Sequence, residues 1–137
     1  MRYCLCLLAA ALACLTAAEP HQSVSVRGKL SVREGTPATV ETPDHKLVTL
    51  DGDAVTRKVL GDERLNGFEI EARGHFTDSG HFVVDPTHTH SLLVRQNGKL
   101  KLVSYWCDIC SIRAYSPGPC VCCQRETTLD LLDPDKP

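Results

Sequence analysis

Phe68-Glu69-Ile70-Glu71-Ala72-Arg73-Gly74-His75-Phe76, then Thr77-Asp78-Ser79-Gly80-His81-Phe82-Val83-Val84, is the stretch on which the fold turns. Phe68, Ile70, Ala72 and Phe76 alternate with Glu69, Glu71, Arg73 and His75, the period-two pattern of a strand with one buried face. Asp78-Ser79-Gly80 reads as a three-residue hairpin loop with its glycine in the left-handed conformation. In that register Phe76 faces Phe82 and the apolar face runs on to Val84. A two-residue loop would turn His81 into the core. His75 and His81 then point outward as diagonal neighbours.

Upstream, Ala54 to Leu60 has helix signals: Asp53 at the N-cap, Val55 and Val59 on one face, Arg57 and Lys58 in the last turn, Gly61 at the stop. Ala38 to Thr42 and Lys46 to Leu50 form a hairpin around Pro43-Asp44-His45. From Ser23 to Arg33, Val24, Val26, Leu30 and Val32 alternate with Ser25, Arg27, Lys29, Ser31 and Arg33. Gly28 falls in the apolar row, where a bend or a close backbone approach is expected. The expected core is therefore Val24, Val26, Leu30, Val32, Val40, Val48, Leu50, Phe68, Ile70, Phe76, Phe82 and Val84. Downstream, Leu92-Leu93-Val94 and Leu100-Lys101-Leu102-Val103 flank Asn97-Gly98, a type I′ hairpin signal. Extending that ladder puts His90 opposite Tyr105 and His88 opposite Cys107. Thr127 to Leu132 supplies a last strand and Asp133 to Pro137 a frayed end; His21 and His45 read as surface residues.

Strand, hairpin, short helix, hairpin over residues 23–86 resembles the OB-fold, a five-stranded barrel with a helix between its third and fourth strands. The resemblance implies a mostly β protein: a small OB-like barrel with one short helix, followed by a β-hairpin carrying a Cys-rich knuckle. Many OB-folds bind nucleic acid through aromatic platforms and basic grooves. Here aromatics are 5% of residues and acids outnumber bases, so that activity is not expected.

The first residues, Met1-Arg2-Tyr3, precede an uncharged apolar stretch of 12 residues from Cys4 to Leu15. That is too short to span a bilayer, and Thr16 and Ala18 suit a signal-peptidase site. A lipoprotein anchor at Cys14 ranks second, because Ala11 stands where a larger aliphatic is usual. No later segment is apolar enough to span a membrane. Residues 1–18 thus read as a signal peptide, 19–90 as the OB-like barrel and 91–137 as the hairpin with its Cys-rich segment. The mature chain is exported, to a periplasm or the outside. It carries 14 basic against 17 acidic residues, a net charge of −3, which argues against nucleic acid and anionic membranes as partners.

Cys107, Cys110, Cys120, Cys122 and Cys123, five of the eight cysteines, fall within 17 residues. Cys107-Asp108-Ile109-Cys110 and Cys120-Val121-Cys122-Cys123 each contain a C-x-x-C pair, nine residues apart. Two such pairs present four thiolates to one tetrahedral ion. Ser116-Pro117-Gly118-Pro119 supplies the chain reversal between them. This arrangement resembles a compact zinc ribbon, departing from it in the extra thiol of Cys122 and in lacking a glycine after each pair.

The resemblance implies zinc on Cys107, Cys110, Cys120 and Cys123, with Cys122 a displaced spare thiol. Soft thiolates in a C-x-C-C context also suit Cu(I). Cys122 and His88 are further ligand candidates, His88 through its place opposite Cys107. Disulfides are the rival outcome in an oxidising compartment, but five thiols leave one unpaired, and adjacent cysteines hardly bond each other.

No nucleophile and base stand at a recognisable spacing, Ser111 and Gln124 replace the histidine of haem attachment, and Pro117 and Pro119 oppose a thioredoxin-like helix. The expected function is metal or partner binding by an exported protein, without catalysis. The alternatives are a thiol-disulfide redox protein using Cys107 and Cys110, or a structural domain with a disulfide-stapled loop. Processing gives the first prediction: N-terminal sequencing of the mature protein should return Glu19. Recovery of Met1 or of an acylated Cys14 would refute it.

Overall fold

The computed structural model describes residues 22–136. The signal-peptide reading of 1–18, with Cys4, Cys6 and Cys14, and the reading of His21 lie outside the described residues. Among the described residues nine strands form in order: β1 Val24–Ser31, β2 Thr39–Glu41, β3 Leu47–Asp51, β4 Glu69–Phe76, β5 Phe82–Val84, β6 Leu92–Gln96, β7 Lys99–Cys107, β8 Ile112–Ala114 and β9 Thr128–Leu132. Helix α1 spans Ala54–Leu60, a 3-10 turn spans Glu63–Leu65, and a single helical turn, α2, spans His88–Ser91. No helix among the described residues is long and apolar enough to cross a membrane.

Strands β1, β2, β3, β5 and β4 close into a five-stranded barrel: β1 pairs β2 at one end and β4 along most of its length, and β3 meets β5 in parallel. Closure requires close backbone approach, and two glycines permit it. A Cβ on Gly28 would sit 2.0 Å from the Glu41 carbonyl oxygen, and one on Gly74 would sit 1.9 Å from that of Val83. Helix α1 lies between β3 and β4, with the Asp53 carboxylate accepting the Thr56 N–H at 2.7 Å. Its inner stripe is Thr56, Val59 and Leu60, while Val55 is 44% exposed. Val55 and Val59 therefore do not share the buried face; the stripe follows i, i+3, i+4 from Thr56.

Both hairpin registers hold. Phe76 stands opposite Phe82, with Gly80 at φ 82° in the loop, and Asn97 and Gly98 take positive φ between β6 and β7. Most of the expected core is buried, with Val48 and Phe68 partly so. Two members are not: Val24 is 44% and Phe76 51% exposed. Strand β1 begins at Val24, paired with Gly74, so no described β1 residue reaches Phe76. Phe76 overhangs the barrel end and covers Phe82 edge to face, with ring centroids 5.0 Å apart. Being opposite a core residue fixes a register but does not bury a strand's last residue.

One edge of β4 is divided, Gly74–Phe76 pairing β5 and Glu69–Ala72 pairing β6. From Gly74↔Val84 to Ala72↔Leu92 the chain advances eight residues for two of β4. Asp85 still donates its N–H to the Arg73 carbonyl of β4 at 2.9 Å, and the rest of the surplus coils into α2. The sheet continues from β6 to β7, which holds β8 and β9 on opposite edges. Leu92, Val94, Val103 and Tyr105 join the barrel residues in one core.

This packing sets unequal costs for two facing rings. Phe82→Ala, at 0% exposure, should lower unfolding free energy by about 3–5 kcal/mol. Phe76→Ala should cost about 1 kcal/mol, in line with partial burial. Chemical denaturation of the two variants checks the difference.

Candidate metal centre

Cys107 ends β7, and the turn after it returns the chain as β8, with Ile112 opposite Cys107. Cys120 opens a second turn, where its N–H donates to the Arg125 carbonyl at 2.7 Å and Pro119 bridges Glu126. The chain then enters β9, antiparallel to β7. Both stems are braced to the barrel. The Arg64 guanidinium forks onto the buried Asp62 carboxylate at 2.9 Å, donates to the Thr127 carbonyl at 2.7 Å, and lies 5.0 Å from the centre of the Tyr105 ring. Burial works against the Asp62 charge, but Arg64 outweighs it and holds the carboxyl below its ordinary value. Across the stems, Arg113 reaches Asp130 and Ser104, each at 2.6 Å, and its guanidinium lies over Trp106. Thr127 donates to the Gly118 carbonyl at 2.8 Å, tying the Pro-Gly-Pro reversal to the start of β9.

With the stems fixed, the sulfurs of Cys107, Cys110, Cys120 and Cys123 all lie within 4.8 Å of one another. Cys107 Sγ and Cys123 Sγ are 3.5 Å apart. Four thiolates held tetrahedrally at about 2.3 Å from one ion would be about 3.8 Å apart, whereas a disulfide needs about 2.05 Å. The five described cysteines are free thiols. This four-cysteine group could hold a metal ion.

The two turns share a further geometry. Cys107 Sγ accepts from the N–H of Cys110 and of Ile109, and Cys120 Sγ accepts from the N–H of Cys123 and of Cys122. Each C-x-x-C turn thus aims two donors at its first sulfur, and such donors favour the thiolate. At Cys120, the N–H groups of Cys123 and Cys122 prevail and bring the thiol down to about 7. At Cys107 the Cys110 N–H pulls the same way, but burial and the Cys123 and Cys120 thiols together push it above the ordinary value. At Cys110 the facing Cys122 thiol acts first, then burial, and the value rises far above normal. Cys107 and Cys120 are buried, Cys110 and Cys123 half-buried, and Cys122 exposed. Cys122 stands outside the group of four, beside Cys110.

His88 does not stand opposite Cys107. Beyond the β6 pairing, that edge of β7 belongs to β8, which puts Ala114 opposite Tyr105 and Ile112 opposite Cys107. His88 and His90 sit in α2, coiled because β4 offers them no partner. The His88 ring is buried and faces the Tyr115 carbonyl, and burial holds its pKa below normal. Its helical turn packs against β6, β4 and β7, and His88 stands outside the sulfur group.

The residues following each pair, Ser111 at φ 52° and Gln124 at φ 59°, take the left-handed conformation. The glycine missing from both positions is the residue that would do so without strain. Comparison with protein-family models, curated proteins and solved structures returns no match to this chain. Relief of backbone strain gives the prediction. Ser111→Gly and Gln124→Gly should each leave stability unchanged or raise it by about 1 kcal/mol, whereas β-branched valine should lower it by about 1–2 kcal/mol. Thermal unfolding of the four variants measures this.

Proposed function

We propose that this is an exported, non-catalytic protein whose OB-like barrel carries a zinc-ribbon-like site of Cys107, Cys110, Cys120 and Cys123. One observation carries the reading: four sulfurs within 4.8 Å of one another, on two turns that direct backbone N–H groups at their first sulfur. Zinc is the first occupant, because a d¹⁰ ion accepts four thiolates tetrahedrally without a geometric demand of its own. Cu(I) is second on the softness of the same donors. A closed four-thiolate zinc site leaves no position for a reactive water, which supports binding over catalysis. The OB-like reading draws support from five-strand closure and from α1 between β3 and β4.

In this reading residues 1–18 are the signal peptide, 19–90 the barrel and 91–137 the metal-bearing appendage. The protein acts in a periplasm or outside the cell, on a metal ion or another exported protein. Native mass spectrometry of the purified protein should find roughly one metal equivalent, removed by chelator with re-protonation of the thiols. Backbone amide exchange should then speed up between Cys107 and Glu126, while the barrel strands stay protected by their own core. Cys120→Ser should abolish uptake. A mature protein that carries no metal and whose cysteines are all in disulfides or capped would refute the reading.

A further inference from the structure

Alternation along β4 turns Ile70 and Ala72 into the core and the Glu71 carboxylate toward the outer face of the sheet. An outward carboxylate is ordinarily solvated, yet the Glu71 side chain is only 5% exposed. Three arginines from three strands close over it. Arg27, its cross-strand partner on β1, comes to 2.9 Å, Arg95 of β6 to 3.4 Å and Arg73 of β4 to 3.9 Å. Leu93, opposite Glu71 on β6, is buried beside it. One guanidinium would neutralise a buried carboxylate, so three leave a local surplus of two positive charges. That surplus sits on a chain whose formal net charge is −2. The donors are under-used as well. Each guanidinium offers five N–H groups. Beyond Glu71, the one acceptor these three find among the described residues is the Gly98 carbonyl, 3.3 Å from Arg95. Glu69 stands opposite Arg95 in the ladder but makes no ion pair with it among the described residues.

The same residues line a groove of about 780 Å³. Its far wall holds Lys99 and Leu100 from the start of β7, and Asp133 to Lys136 from the segment after β9. Asp133 is taken by Lys101 at 2.5 Å, which leaves Asp135 as the wall's other carboxylate, with Lys99 and Lys136 in the same wall. We propose that this groove binds a small phosphate monoester, its phosphate on Arg27, Arg73 and Arg95 and its body along Leu93, Leu100 and Pro134. Near pH 7 a phosphate monoester carries about −1.5 to −2, which matches the surplus. A carboxylate or a sulfate ester carries a single charge. The oxygens of a phosphate also accept the fixed fork of arginine donors in pairs. Gathered on Glu71, the three forks are already in place, so less side-chain freedom is lost on binding. The net negative charge of the chain disfavours an anionic bilayer as the source of the phosphate. The groove shares no residue with the four sulfurs, and the proposal stands whether or not they hold a metal.

The test is titration of the purified protein with phenyl phosphate at about pH 7.5, where the ester is a dianion. Proton–nitrogen correlation NMR follows the backbone amides and the arginine Nε–H groups. A single site with a Kd of about 1 mM or tighter is expected, its shifts concentrated on Arg27, Arg73, Arg95 and Gly98. Arg73→Gln is the most telling variant, because Arg27 and Arg95 lie closer to Glu71 and still neutralise it. It should fold, as circular dichroism checks, and weaken binding about tenfold. Lys58→Gln, an equal loss of charge on the exposed face of α1, should leave Kd unchanged. Phenyl sulfate should bind about tenfold more weakly than phenyl phosphate. No saturation by about 20 mM phenyl phosphate would show that the arginines serve Glu71 alone. Equal weakening by Lys58→Gln would reduce the effect to overall charge, and equal binding of phenyl sulfate would overturn the choice of a dianion. Sedimentation of the protein with vesicles of phosphatidic acid in phosphatidylcholine would overturn the choice of a soluble ligand.

Discussion

Strand β7 is hydrogen-bonded along both edges, and the convergence of the sulfurs depends on it. One edge holds β6 near its start and β8 near its end, and the other holds β9. The first C-x-x-C turn joins β7 to β8 and the second leads into β9, so both turns emerge beside the same strand end. A strand with only one partnered edge would leave one pair free to swing. The Tyr105 ring anchors this strand in the common core, and the Asp62–Arg64 pair fastens the entry to β9 from the barrel side. Replacing such a fully packed strand by a loop would lose the shared reference for four atoms that must agree within about an ångström.

Within the turns, backbone geometry does the electrostatic work. Thiolates close together repel one another, and burial disfavours each charge. The paired N–H donors on Cys107 and Cys120 offset part of that cost before any ion arrives. A bound dication would supply the remainder, since four thiolates around it leave a net charge of −2 in place of −4. The left-handed residues after each pair are the conformational cost of turning sharply enough to aim those donors. At about 1–2 kcal/mol each, that strain is small beside the free energies of about 10–16 kcal/mol measured for structural zinc sites.

The barrel was largely legible because its signals are local: alternation on β1 and β4, a glycine in the β4–β5 loop, and the Asp53 cap. The convergence of four cysteines was legible because C-x-x-C confines two sulfurs to one turn. The failures share a non-local cause. Burial of Phe76 depended on where β1 begins, and Val55 on how α1 rolls against the barrel. His88 was misplaced by extending a ladder past Leu92, when the edge of β4 was already divided and that of β7 claimed by β8. Glycine and proline would have marked a break there, but nothing between His88 and Leu93 is either. Similarly, the facing of Cys122 toward Cys110 needs the relative placement of two turns, which spacing along the chain does not contain.

The appendage also shows why sulfurs are needed at all. Between Asp108 and Glu126 the one buried residue is Cys120, while Ile109, Ile112, Tyr115 and Val121 lie on the surface. Ordering each of these residues costs roughly 1–2 kcal/mol of backbone entropy, and almost no apolar area is removed from water in return. Short ladders and the Thr127 and Arg113 hydrogen bonds offset only part of this, at about 1 kcal/mol each. A barrel with its own core does not require the segment, and the segment without a cross-link has little to hold it. The balance therefore turns on what joins the four sulfurs. A metal ion held by the four sulfurs would supply that join, with the barrel as its foundation.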